Sequence, residues 1–305
     1  MNFTDQPFIV ELDQIATLKA SGTDARSFLQ GQLSSDLRLL TPTQAQISSY
    51  NSAKGRMLAV LHLLADGDDV LLELHQSVAA GALKRLRMHV LRAKLTLEDI
   101  SVAQSTLGVA GVDAGDWLTA QGLPMPQLAL ECAHNDSLTV LRRFGNTPRY
   151  TVHGPTSALA HLREAWTLPL PPDTAQRWQA LEILAGVPTV FAETVDHFVP
   201  QMANLDQLGG ISFDKGCYTG QEIVARLHYL GQLKRRMVCA RSDVVDAIAP
   251  GTAVYTNGEA QAVGEVVQAA RVADDQWLSV VLQLSHAQSA HLRVGSVDGA
   301  LLEIL

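Results

Sequence analysis

The residues with the clearest chemical potential lie in one stretch, 215–222, which reads KGCYTGQE. It places Cys217 between two glycines, behind Lys215 and ahead of a helix predicted over 221–230. Unpaired N–H groups at the start of a helix and a nearby ammonium group both stabilise an anion, so we expect the thiolate of Cys217 to be favoured. A thiolate is a nucleophile and a ligand for soft metals. The alternative is a small buried thiol in a glycine-rich turn.

Partners for this thiol are only weakly indicated. His197 and His228 are candidate bases through their nearness in sequence alone. Glu222 is predicted to stabilise the start of its helix or to bind a ligand amine. Arg226 and the basic run 234–236 are predicted to contact phosphate or to be solvated charges at a domain boundary.

The cysteine pattern argues against a metal cage and against a disulfide framework. The chain has three cysteines, Cys132, Cys217 and Cys239, and no CxxC pair. Neither zinc nor iron–sulfur ligand spacing is present, and no glycine-rich nucleotide loop occurs. An odd cysteine count without pairs predicts a reducing, cytoplasmic setting. We expect no signal peptide and no membrane span, because no basic leader and no apolar run of about 18 residues is found.

The elements that must position the motif alternate between strand and helix in the first two thirds of the chain. Antiparallel α+β units are therefore predicted, at 1–100 and 101–233. Beyond residue 234 short apolar runs separated by turn residues, including Asn257-Gly258, predict a small β-barrel over 234–305. Strands are predicted over 8–18, 47–50, 57–64, 70–74, 138–142 and 149–153, and helices over 24–33, 77–92, 155–166 and 174–185.

Two predicted helices have a threonine at their start, and one tryptophan lies within a predicted helix. Thr23 and Thr174 are predicted to cap the helices that follow them. Trp178 lies on the apolar side of its helix, where core packing is the default, although an indole also stacks on flat heteroaromatic rings.

One continuous pattern is specific enough to indicate a family. The chain resembles the YgfZ family, the folate-binding, tRNA-modifying protein group whose relatives assist iron–sulfur cluster assembly. The resemblance also extends to the whole chain and, in fold, to the aminomethyltransferases (T-proteins) of the glycine cleavage system. The segments that carry it are FVPQ at 198–201, NL at 204–205, GGISF at 209–213, KGCYTGQE at 215–222 and IVAR at 223–226.

The resemblance implies ferredoxin-like units with antiparallel sheets around a central folate cleft, followed by a small β-barrel. It implies that tetrahydrofolate or a derivative is bound and that iron–sulfur client enzymes are partners, with tRNA modification affected through those enzymes. Within the matching motif, Cys217 is implied as the reactive thiol with Lys215 beside it. The residues implied in cofactor binding are Trp178, Tyr218, Gln221, Glu222 and Arg226.

Three positions depart from the pattern of the resemblance. Ile15 stands where relatives have a second folate-contacting tryptophan, and Leu184 stands where many have an acidic residue. The aminomethyltransferases carry a catalytic aspartate shortly after the position of Gly55, whereas 56–60 reads RMLAV. The first two departures bear on folate affinity. The third argues against aminomethyl transfer, because a group that moves charge at the folate nitrogens is missing.

The leading hypothesis is a folate-binding accessory factor for iron–sulfur enzymes, and whether it catalyses a reaction by itself stays open. One alternative is a folate-dependent one-carbon transferase. Another is an RNA-binding module that uses the basic residues of 84–94 and 234–236 and loses affinity with salt. The net charge of −8 makes direct RNA contact the less expected outcome.

Overall fold

The computed structural model describes residues 6–244, 246–256, 260–289 and 291–305. The strands are β1 (Phe8–Glu11), β2 (Ile15–Ser21), β3 (Gln46–Asn51), β4 (Met57–Asp66), β5 (Asp69–His75), β6 (Thr96–Asp99), β7 (Gln104–Ala110), β8 (Cys132–His134), β9 (Thr139–Arg142), β10 (Arg149–Pro155), β11 (Arg235–Ser242), β12 (Ala253–Thr256), β13 (Gly264–Val272), β14 (Asp275–Gln283), β15 (Leu292–Val294) and β16 (Ala300–Ile304). The helices are α1 (Ala25–Gln30), α2 (Gln76–His89), α3 (Ala114–Ala120), α4 (Thr156–Glu164), α5 (Thr174–Leu184) and α6 (Gln221–Tyr229).

The first sheet has the strand order β3-β4-β5-β2-β6, and all its neighbouring strands are antiparallel. Helix α2 packs on it through Val78, Ala82 and Leu86, which are spaced four residues apart along one helical face. The buried sides of β4 and β5 complete this core. This sheet supplies one wall of the candidate site.

The second sheet has the order β1-β7-β10-β9-β8 and uses its two faces differently. Along β10, Tyr150 and Val152 face α3 and α4 in an apolar core. The alternate residues Arg149, Thr151 and His153 are also buried, but on the opposite face. This polar face is turned towards the first sheet, because His153 lies 2.6 Å from Glu73 of β5.

The last strands close into a six-stranded barrel of order β11-β14-β13-β12-β15-β16. Its interior is filled by aliphatic side chains such as Val254, Val280 and Leu292. Helix α5 packs against β13 and against β1, so it ties the barrel to the second sheet. The predicted α+β fold with antiparallel sheets and a C-terminal barrel is confirmed.

Several local predictions differ from the structure. The single strand expected over 8–18 is two strands, because the chain turns at 12–14 and β1 pairs with β7 in the second sheet. The predicted unit 1–100 therefore contributes its first strand to the sheet of the unit 101–233. The hairpin turn expected at Asn257-Gly258 lies outside the described residues.

The two predicted threonine caps are also wrong. Asp24 occupies the cap position of α1, and its Oδ2 accepts instead from the backbone N–H of Lys94 at 2.7 Å. Asp173, at φ +56°, occupies that position of α5. Neither α1 nor α5 receives a side-chain hydrogen bond at its start. In the described residues, every helix is too short or too polar to span a bilayer.

Candidate functional site

A cavity of about 300 Å³ opens where the first sheet, α5 and the barrel meet. Strands β2, β4 and β5 form one side, α5 the second, and Gln268 of β13 closes the third. Its lining contains both apolar and polar side chains. Its apolar lining includes Ile15, Val60, Leu74, Val187 and Phe191, and its polar lining includes His62, Glu73, Arg143, Glu182 and Gln268.

Trp178 lies at the edge of this cavity but belongs mainly to the core. The side chain is only 2% exposed and packs with residues of β1 and β13. Gly108 on β7 makes room for the indole, since a Cβ there would lie 2.8 Å from the ring atoms Cε3 and Cζ3. The Arg149 guanidinium lies 5.4 Å from the ring centroid. Trp178 therefore offers the cavity an edge and leaves little room for full stacking of a ligand.

Beneath the cavity, Glu182 of α5 is held by two buried arginines. Arg143 Nη2 donates to Glu182 Oε1 at 3.1 Å. Arg149 Nη1 lies 3.0 Å from the same oxygen, and Arg149 Nη2 donates to Oε2 at 3.3 Å. Burial alone would raise the pKa of Glu182, but the charges of Arg149 and Arg143 outweigh it and hold the pKa at about 2. The carboxylate is therefore ionised at every physiological pH.

A second buried carboxylate, Glu73, joins the two sheets. Its Oε1 lies 2.6 Å from His153 Nδ1 and accepts from the Thr106 hydroxyl at 3.0 Å. His153 Nε2 is in turn 2.8 Å from the Thr151 hydroxyl. Burial would raise the pKa of Glu73, but the interaction with His153 and the charge of Arg143 lower it to about 2. Both carboxylates of the cavity are therefore ionised: Glu182 is paired with two arginines, and Glu73 contacts His153 and Thr106 through Oε1.

His62 completes the polar wall as a neutral imidazole. It is the cross-strand partner of Glu73 on β4 and is buried. Burial and the positive charge of Arg143 lower the pKa of His62 from its ordinary 6.5 to about 3. A neutral ring presents one nitrogen as donor and the other as acceptor.

This shift predicts a loss of stability on mild acidification. A lowered histidine pKa contributes stability that is complete above 6.5 and is lost as the pH falls towards 3, because the unfolded chain binds the proton first. Between pH 7 and pH 5 the histidine accounts for about 2 kcal/mol of the free energy of unfolding. The free energy of unfolding, measured with urea, should differ between pH 7 and pH 5. We expect His62→Gln to reduce this difference by about 2 kcal/mol. An unchanged difference would show that His62 is protonated in the folded protein.

Four buried polar atoms of the cavity lack a hydrogen-bond partner within the described residues. They are His62 Nε2, Glu73 Oε2, Arg143 Nη1 and Gln268 Oε1. Glu73 Oε2 and Arg143 Nη1 are 3.7 Å apart, an ion-pair separation too long for a hydrogen bond. Orphaned buried groups are costly, so they indicate a polar partner in this space.

The motif 215–222 lies elsewhere, against the first sheet, and Lys215 anchors it. The buried Lys215 ammonium donates to the carbonyl oxygens of Gln30, Leu33 and Ser35 at 2.6–2.8 Å. Burial lowers the pKa of Lys215 to about 8. All three N–H donors are used by backbone acceptors, so Lys215 has none to offer a Cys217 thiolate. Its role in the structure is to hold the loop in place.

Cys217 itself is exposed and lies four residues before α6. The helix starts at Gln221, as predicted, and the residue that precedes α6 is Gly220. Gly220, at φ +81°, touches the turn before β4, since a Cβ would lie 2.4 Å from Ser52 O. A side chain could not fit there, which explains the glycine of the motif.

The remaining residues of the motif do not reach the cavity. The Tyr218 ring is buried beneath Lys215, whose Nζ lies 5.0 Å from the ring centroid. Burial raises the pKa of Tyr218 to about 12. Glu222 and Arg226 are exposed on α6, and Gln221 is partly exposed at its start. The structure thus places only Trp178, among the predicted cofactor-binding residues, beside the cavity.

The two candidate bases, His197 and His228, contact residues other than Cys217. His197 Nδ1 lies 2.5 Å from Glu265 Oε1 of the barrel. The His228 ring stacks on Phe213 at a centroid distance of 3.7 Å. Neither histidine makes a hydrogen bond with the thiol.

Sequence reasoning missed most of the cavity's polar wall. His62, Glu73, Arg143, Arg149 and His153 each lie in or beside a segment predicted as a strand. In the sequence, each is a single polar residue in or beside a largely apolar strand segment. The available signal was alternation in β10, where every second residue is polar in a segment with few charges.

The structure shows where two of the three residues that differ from the family pattern lie. Ile15 lines the cavity, so a larger side chain there would enter the ligand space. Leu184 is 41% exposed on the outer side of α5, so an acidic residue at that position would not face the cavity. Glu182, two positions earlier, supplies the buried carboxylate.

Known proteins resemble this chain over most of its length. No protein-family model matches it. Proteins described as tRNA-modifying protein YgfZ are similar to it: the one from Colwellia psychrerythraea is 31% identical over 78% of this chain and 73% of its own. The protein from Edwardsiella ictaluri is 34% identical over 76% of this chain and 70% of its own. The protein from Photorhabdus laumondii is 29% identical over 97% of this chain and 90% of its own.

A solved structure shows a similar fold. The crystal structure of glycine cleavage system aminomethyltransferase T from Bartonella henselae superposes with a TM-score of 0.77 at 15% identity. The match covers 98% of this chain and 84% of that chain. At this identity the likeness concerns the fold alone.

Proposed function

The chain belongs to the YgfZ family of tRNA-modifying proteins, and from this premise we propose that it is a factor in tRNA modification that binds a reduced folate in the cavity. The observation that carries the proposal is the set of unpartnered buried polar atoms in a cavity with apolar walls. Tetrahydrofolate or a derivative is the ligand that the family resemblance implies.

The cavity suits a bicyclic pterin ring in size and in its apolar lining. Its volume of about 300 Å³ is at the lower end of ligand sites, enough for the pterin ring but not for the whole folate. Ile15, Val60 and Leu74 would contact the ring faces, and Phe191 lies near them in the lining. The aminobenzoyl-glutamate portion would extend towards solvent.

The polar wall suits the edge of a pterin, which carries amino and ring N–H donors beside a carbonyl and ring nitrogens as acceptors. Glu73 Oε2 and Gln268 Oε1 are unpartnered acceptors, and Arg143 Nη1 is an unpartnered donor. Gln268 is fixed because its Nε2 donates to Val187 O at 2.8 Å. The residues therefore fit the group, and their ion pairs and hydrogen bonds preorganise them for it.

Reduced folate, when bound, would supply a carrier of one-carbon units. The chain's own residues bind and orient the ring, and they exclude water from its polar edge. The pKa values of Glu73 and Glu182 are about 2, so both carboxylates are weak bases and are poorly suited to move a proton at the ring. This weak basicity favours a binding factor over the alternative one-carbon transferase.

Calorimetric titration with 5-formyltetrahydrofolate, a stable reduced folate, tests the proposal. We expect one binding site per chain and an increase in thermal stability that follows the ligand concentration. Folic acid, which has a planar oxidised ring, is the matched comparison. The proposal fails if no heat and no stabilisation appear at millimolar concentrations of reduced folate.

We further propose that Cys217 acts in the service of iron–sulfur client enzymes. Its exposure makes the thiol accessible to a partner, whereas Cys132 is buried and Cys239 is partly buried. Lys215 holds the loop that carries it on the first sheet. tRNA modification would then depend on Cys217 through cluster-containing enzymes.

We predict that Cys217→Ala separates this role from folate binding. Because the thiol is exposed and does not line the cavity, the variant should keep the stability and the reduced-folate affinity of the wild type. In a strain that lacks the gene, it should fail to restore the activity of a cluster-dependent tRNA-thiolating enzyme. Cys239→Ala is the matched control and should restore it. Full restoration by Cys217→Ala would show that the motif cysteine is structural.

A further inference from the structure

An aromatic cluster lies at the exposed end of α6. Phe213 stacks on His228 at 3.7 Å with an interplanar angle of 14°, and Tyr229 meets both rings edge-on. Tyr229 is 63% exposed and the neighbouring Leu230 is 84% exposed. Exposure of this apolar cluster to water is unfavourable for the isolated chain, so it indicates a partner with a flat apolar face.

Four unpaired cations lie on α6 and on the segments beside it. Lys54, Arg226, Lys234 and Arg235 are exposed, and in the described part of the chain their side chains make no ion pair and no hydrogen bond. The following arginine, Arg236, is by contrast paired with Asp206 at 2.9 Å.

The geometry of α6 places these groups on one surface. Ile223, Arg226 and Leu230 are three and four residues apart, so they follow one another along the helix. Lys54 belongs to the turn that touches the first turn of α6, because a Cβ on Gly55 would lie 2.7 Å from the Ile223 side chain. Lys234 lies five residues after the end of α6, and Arg235 is the first residue of β11.

The other basic surface lacks this combination. Helix α2 and the residues after it expose Lys84, Arg85, Arg92 and Lys94. Their exposed apolar neighbours are Met88 and Leu91, and residues 84–94 contain no Phe, Tyr or Trp. The sequence suggests the basic residues of 84–94 and 234–236 as one RNA-binding set. In the structure they belong to different surfaces.

We infer that the α6 surface, defined by Lys54, Phe213, Arg226, His228, Tyr229, Lys234 and Arg235, binds single-stranded RNA directly. A base would stack on the Tyr229 ring, and the cations would contact the adjoining phosphates. Cations that are free on a chain of net charge −8 favour a polyanion, and exposed rings favour one with unpaired bases. The inference is independent of the folate cavity, which uses other residues.

Fluorescence anisotropy with a labelled single-stranded RNA of about 12 nucleotides tests this surface in the full chain. With four phosphate contacts, affinity should fall about 50-fold between roughly 50 and 200 mM salt. Tyr229→Ala should weaken binding about 5- to 150-fold without changing the salt slope. Tyr229→Phe, which keeps the ring, should bind as the wild type does.

The charge variants separate the two basic surfaces. Arg226→Gln with Lys234→Gln should lower the salt slope by about 1.4, whereas Lys84→Gln with Arg85→Gln should leave affinity unchanged. Thermal melting checks that every variant is folded. The inference is overturned if the RNA does not bind, if the α2 variant alone weakens it, or if Tyr229→Ala has no effect, as expected were the surface a protein-docking site. None of these outcomes bears on folate binding.

Discussion

Replacement of Glu182 by glutamine is expected to lower the free energy of unfolding by about 3–5 kcal/mol. The amide keeps the shape of the side chain but leaves Arg143 and Arg149 buried without their shared carboxylate. Burial already lowers the pKa of Arg149, which shows how strongly its charge depends on this partner. Urea unfolding at pH 7 measures the effect.

Glu303→Gln is the matched control, because it removes an exposed carboxylate that pairs with Arg241 at 2.9 Å. We expect little change there, since solvent screens surface pairs. The effect of Glu182→Gln should shrink in acid: the stabilisation is complete above the ordinary pKa of 4.5 and is lost as the pH falls towards 2. Equal stability of Glu182→Gln and wild type at pH 7 would contradict the buried network.

The second large effect concerns the cavity. Thr189 is partly exposed and lines the cavity, so Thr189→Trp is expected to fill part of the ligand space. The affinity for 5-formyltetrahydrofolate should fall about 30- to 150-fold, as loss of about 2–3 kcal/mol of ring burial would give. Calorimetric titration measures it.

Thr119→Trp introduces the same side chain on the exposed side of α3, away from the cavity. It should bind the ligand as the wild type does, and both variants should melt as single folded proteins. Wild-type affinity in a folded Thr189→Trp would place the ligand outside the cavity.

The strands and helices could largely be predicted from the sequence because their apolar periodicity is strong. The apolar run of β4 and the facing residues of α2 are examples, and both elements lie where their patterns indicate. The prediction of a single strand over 8–18 is wrong for a simple physical reason. The turn between β1 and β2 contains no glycine or proline, so local chemistry does not reveal that the two strands belong to different sheets.

The polar wall of the cavity was hidden for another reason. Alternation in β10 predicts a strand with one polar face, and a polar face is normally solvated. Only the packing of the two sheets shows that Arg149 and His153 meet Glu182 and Glu73 in the interior. Tertiary contacts of this kind leave no local signal.

Lys215 shows the same limit in the motif. From sequence, its place two residues before Cys217 indicates an electrostatic partner of the thiol. In the structure its ammonium binds carbonyl oxygens about 180 residues earlier in the chain, at the end of α1. The family could be inferred from the motif, but the motif does not show that the thiol and the cavity occupy different surfaces.

The most direct test of the folate cavity is a crystal structure of the chain grown with 5-formyltetrahydrofolate. We expect density for the pterin ring between Ile15 and Val60, with its polar edge towards Glu73 and Gln268. Density for the ring on the surface around Cys217, with the cavity filled only by water, would contradict it.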